Sequence, residues 1–87
     1  MSQLGKTVDE LISSLKQQRD ELRVKIHLGS TELKQELSQL ENRLDELTRK
    51  YDPLKHALSD TSADVWSSMK LVGEEIAKGF DRIRKSL

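Results

Sequence analysis

The chain has 87 residues and no cysteine, which excludes disulfides, zinc–thiolate sites and thiol chemistry. Aromatic residues are almost missing, with one Trp, one Tyr and one Phe, and only 34% of residues are hydrophobic. A chain of this length is one domain at most, and with so little apolar material its core as a monomer is marginal. Net charge is lacking too, since 15 Lys and Arg balance 15 Asp and Glu. Compositional disorder combines low hydrophobicity with high net charge. A balanced mixture with regularly spaced leucines points instead to solvated helices. Phosphate binding needs an excess of basic side chains gathered on one face, so nucleic acid is not an expected partner. No apolar run approaches the roughly 18 residues of a membrane span. The opening residues Met1 to Lys6 carry no signal-peptide core, so a cytoplasmic location is expected.

What is present is periodicity. Leu4, Val8, Leu11, Leu15, Gln18, Leu22, Ile26, Gly29, Leu33, Leu37, Leu40, Leu44, Leu47, Tyr51, Leu54 and Leu58 follow one another in steps of three or four, one helical stripe. From Leu37 to Leu58 the steps alternate, as in a heptad seam. From Leu15 to Leu37 they run three-four-four twice, an eleven-residue repeat that relaxes the supercoil. Gln18 and Gly29 are the two seam positions that are not apolar. Gln18 reads as a tolerated polar residue or as a register-setting contact. Gly29 either breaks the helix, with Ser30 or Thr31 capping a new one, or stays inside it at about 1 kcal/mol relative to Ala. Because the stripe keeps phase from Ile26 to Leu33, a continuous helix is expected.

Pro53, the single proline, suits a first helical position behind the N-cap Asp52 and reads as a kink or a restart. Residues 59–62, Ser-Asp-Thr-Ser, are the linker, and Thr61 with Asp64 approximates a capping box. A second helix over about 62–86 carries Val65, Met69, Val72, Ile76, Phe80 and Ile83, with Leu87 just beyond, on one face, and Trp66, Gly73 and Ala77 as a flanking row. The pairs Glu21–Lys25, Asp45–Arg49, Glu46–Lys50, Glu74–Lys78 and Asp81–Lys85 place acid before base at four-residue spacing, the better helical orientation.

The expected fold is all-α: a long helix over about 5–58, kinked near Gly29 and Pro53 or straight, folded back on the shorter helix as an antiparallel hairpin. Its expected core is Leu33, Leu37, Leu40, Leu44, Leu47, Tyr51, Val65, Trp66, Met69, Val72, Ile76, Phe80 and Ile83. A first arm of about 50 residues spans about 75 Å, twice the reach of the second. The distal stripe Leu4, Val8, Leu11, Leu15, Gln18, Leu22 and Ile26 is then left uncovered and becomes the expected interface of a homo-oligomer, a dimer first, or of a helical protein partner.

The segment Leu22-Arg23-Val24-Lys25-Ile26-His27-Leu28-Gly29, the seam around Leu37-Ser38-Gln39-Leu40-Glu41 and the run from Val65 to Lys85 together resemble a group of small bacterial coiled-coil proteins, mostly uncharacterised and sometimes associated with stress responses. The C-terminal run is the most specific part. The resemblance implies a long helix followed by a shorter amphipathic one in a bacterial cytosol. Members of the group run uninterrupted where Asp52-Pro53 stands here, and the resemblance brings no catalytic or ligand-binding residues.

Chemistry is sparse. His27 and His56 are far apart in sequence. Asp52, His56 and Asp60 have metal-ligand spacing, but Pro53 disturbs their helix. The glycines form no phosphate loop. The serines have no histidine base in any recognisable motif, and neighbouring acids such as Glu74-Glu75 point about 100° apart on a helix. No cofactor, metal or catalytic residue is expected. The expected function is non-enzymatic, a self-associating scaffold or protein-interaction module. The alternative is a membrane-surface protein using the second helix, whose Trp66 and Phe80 would sit at lipid headgroups.

Overall fold

The computed structural model describes residues 2–56 and 61–87, with the side chains of residues 2–4 left aside. The Leu4 side chain as an interface residue, Leu58 as the last seam position, and Ser59 and Asp60 of the linker, Asp60 also being the last of the metal-spaced triplet, therefore lie outside what is described. The described residues form three helices, α1 (Ser2–Lys25), α2 (Thr31–Tyr51) and α3 (Ala63–Ser86), with 3-10 turns at Ile26–Leu28 and Asp52–Leu54.

The second and third helices make the antiparallel hairpin. The buried residues of α2, Leu37, Leu40, Leu44, Leu47 and Tyr51, alternate steps of three and four. So do Trp66, Met69, Gly73, Ile76, Phe80 and Ile83 of α3, giving coiled-coil-like seams. Their direction follows from who meets whom. The rings of Tyr51 and Trp66 lie 5.9 Å apart at 58°. Leu47 approaches Gly73, and Leu40 packs onto Gly79. Ser62 caps α3 by accepting the Val65 N–H at 3.4 Å, one residue later than the Thr61 cap expected from sequence. Asp64 in the first turn and Arg84 and Lys85 in the last complement the helix dipole.

One helix running through Gly29 does not occur. The chain leaves α1 at Lys25, makes one 3-10 turn, and starts α2 behind Ser30, whose hydroxyl accepts the Leu33 N–H at 3.2 Å. Helix α1 then lies back against both other helices. It is antiparallel to α2, with Arg23 on Glu41 (Nε to Oε2 2.9 Å) and the Tyr51 hydroxyl on Asp9. It is parallel to α3, with Leu11 against Gly73 and Leu22 beside Phe80 and Arg84. The molecule measures 44 × 18 × 16 Å, far short of a 75 Å arm.

Energetics explain the break. Closing the turn gives up a few helical hydrogen bonds, each worth about 1 kcal/mol net, and Gly29 lowers even that loss. In return Val8, Ile12, Leu15 and Leu22 fall to 0, 4, 0 and 3% exposed. Each such side chain stabilises by about 1.5–3 kcal/mol. The stripe keeps phase across the break because α1 and α2 present it to one shared core.

The break at Pro53 is quieter. Helix α2 ends at Tyr51, and Asp52–Leu54 continue as a single 3-10 turn with the Lys55 N–H bonded to the Tyr51 carbonyl at 3.0 Å. Asp52 thus ends α2 in place of capping a restart, and Leu54 stays half-buried against the core.

Candidate functional site

A groove of about 580 Å³ runs along α2 and α3, on the side not covered by α1. Arg43, Glu46 and Lys50 follow one face of α2 and make its polar wall. Val65, Ser68 and Val72 repeat at helical spacing on α3 and make the opposite wall, apolar at the two valines. Leu47 and Met69, both buried, form the floor, and Leu54 from the 3-10 turn closes one end. Arg43 bonds Glu75 at 3.0 Å, joining α2 to α3 beside the groove. Both partners are half in water, so this link is screened and easily rearranged.

Val65 was expected in the hairpin core and is instead 41% exposed on the groove wall. Two adjacent apolar positions, Val65 and Trp66, compete for the core at the start of α3. The larger ring takes it and is 1% exposed. Leu33 and Val72 are half-buried, and the remaining core residues named from sequence are buried.

The seven residues assigned to an oligomer interface are mostly inside a single chain. Val8, Leu15 and Leu22 are buried, and Leu11, Gln18 and Ile26 are half-buried. The unequal-arm reason for a second copy therefore does not hold. Gln18 donates to Ser14 Oγ on its own helix at 3.1 Å, so it sets no register between helices. Ile12, which was not in the stripe, is 4% exposed. A helix packed against two neighbours needs a wider apolar face than a coiled-coil seam, and the Leu11-Ile12 doublet carries that signal.

The titrating groups belong to structure. Burial, reinforced by the hydrogen bond to Asp9, pushes the Tyr51 hydroxyl from 10.0 up to about 12. The hydrogen bond to Glu41 raises Arg23 above its ordinary value, and those from Arg84 and Lys85 hold Asp81 below its own. Of the five four-spaced pairs expected from sequence, Asp81–Lys85 closes, at 3.0 Å. The interhelical pairs of Arg23 and Arg43 had no local spacing to announce them. His27 is exposed, its Nδ1 2.8 Å from the Val24 carbonyl oxygen. Among the described residues no group of three His, Cys, Asp or Glu is placed to hold a metal. No described helix is long and apolar enough to cross a membrane. Of the α3 residues that would meet lipid, Trp66, Met69, Ile76, Phe80 and Ile83 face the core, Val72 is half-buried, and Val65 and Leu71 are exposed. No family model, curated protein or solved structure matches the chain.

Proposed function

We propose that the chain is a non-enzymatic helical interaction module that receives another helix in the groove between α2 and α3. The observation that carries this reading is the groove itself, with an apolar wall of Leu54, Val65 and Val72 above a floor of Leu47 and Met69, rimmed by Arg43, Glu46 and Lys50. An amphipathic helix matches such a surface by laying apolar residues at helical spacing along the valines while its polar edge meets the charged rim. The rest of the fold supports the presentation, because the core holds α2 and α3 side by side without help from a partner. A bacterial cytosolic setting remains part of the proposal, as the resemblance implies.

Site-specific photocrosslinking tests it. A photoreactive residue in place of Ser68 is expected to give adducts of discrete mass, and the same group in place of exposed Lys16 on α1 is not. Adduct formation that is equal at the two positions, or absent from both, contradicts the reading.

A further inference from the structure

The turn that closes the bundle is made of residues a helix could run through. Gly29 and Ser30 are extended there, at φ −91°, ψ 167° and φ −71°, ψ 167°. No proline lies before Pro53, and Leu22, Ile26, Gly29 and Leu33 stay in helical phase across the turn. Turning Gly29 and Ser30 to helical ψ and regularising the 3-10 turn would join α1 to α2 as one helix of about 75 Å. A chain in that form cannot cover its own α1 stripe, but a second copy can.

The register says how. Arg23 meets Glu41 and Asp9 meets Tyr51, pairs centred on residues 32 and 30. Two straightened chains laid antiparallel about a two-fold axis near residue 31 place each α1 on the α2 and α3 of the other, with the same pairs formed between chains. Val8, Ile12, Leu15 and Leu22 are then buried in the contacts they already make, and only the turn differs. We propose that the inner face of α2 and α3, which α1 covers, is also the docking site for α1 of a second copy, reached by straightening the Ile26–Ser30 turn into an exchanged dimer.

Two side-chain features hold the closed form. Gly29 leaves room: a Cβ there would stand 3.0 Å from Leu87 Cδ2 and 3.3 Å from both Leu33 Cδ1 and the Ile26 carbonyl oxygen. A leucine tip can rotate aside, but that carbonyl is held by the Gly29 N–H at 2.9 Å. Ser30 supplies the cap that starts α2. The double substitution G29A/S30A crowds the turn, removes the cap and raises helix propensity through it, at both turns of a dimer. T31P acts in the opposite sense. Proline suits the first position of α2 behind an extended Ser30, and it opposes a continuous helix.

This inference is independent of the outer groove, and mass with disulfide trapping tests it alone. Light scattering from micromolar to millimolar concentration is expected to show a wild-type dimer fraction that grows with concentration. G29A/S30A is expected to lower the dissociation constant roughly a hundred-fold, and T31P to stay monomeric. The chain has no native cysteine, so R23C/E41C can be added to each form. Oxidised G29A/S30A dimers are then expected to run as covalent dimers on a denaturing gel. A wild type that is monomeric up to millimolar, a T31P chain that dimerises like wild type, or dimers whose disulfides between positions 23 and 41 all lie within one chain would each overturn the proposal. If G29A/S30A does not fold, wild type against T31P decides alone.

Discussion

At the scale of single residues, close approach and one buried phenol decide the packing. Gly79 has no side chain because Leu40 occupies the space: a Cβ there would lie 2.6 and 2.8 Å from its two methyl carbons. Gly79→Ala gains about 1 kcal/mol of helix propensity but overpacks a buried leucine by about 1–3 kcal/mol. It is expected to lower the urea unfolding free energy by about 1 kcal/mol. In a Leu40→Ala background, where the space is open, the same change is expected to stabilise. Tyr51 makes a second prediction. Its hydroxyl ionises near 12 in the folded chain against 10.0 as a free side chain, so the folded state favours the neutral phenol. The resulting stability, on the order of 2 kcal/mol, is complete below pH 10 and is lost as pH rises through about 12. Chemical denaturation across that range should show this step in wild type and not in Tyr51→Phe.

At the scale of elements, the fold turns on α1. Leu15 is fully buried by its own chain, so Leu15→Ala is expected to destabilise by about 2–5 kcal/mol. At micromolar protein that loss should not depend on concentration. A loss that grows on dilution would mean that a second chain supplies the cover. The sequence made the helices and most of the α2–α3 seam legible, because Leu37 to Tyr51 and Met69 to Ile83 obey a local rule of three and four. It hid the reversal at Gly29, since a stripe shared by two helices around one core keeps the same phase as a stripe on one straight helix. The Ser30 cap and the weak helix former beside it were the available signal. The groove was hidden for a related reason. Whether Val65 or Trp66 points inward depends on which neighbour offers room, here the ring of Tyr51, and no spacing rule contains that. Gly73 and Gly79 are weak helix formers by propensity, and each is a contact surface for a leucine of another helix, Leu11 and Leu40.

At the scale of the molecule, closure does two things. It lets a chain poor in apolar residues complete a core by itself, and it leaves the outer face of α2 and α3 as the surface on offer. Both the groove reading and the exchanged dimer start from that closed state. The most direct measurement of it is the distance between spin labels at K6C and K50C, with labelled chains diluted in unlabelled ones at micromolar concentration. Antiparallel α1 and α2 in contact have axes about 8–10 Å apart, so one dominant population below about 25 Å is expected, allowing for the label arms. A straight helix through Gly29 would separate the labels by about 66 Å, and a dominant population there would contradict the closed state.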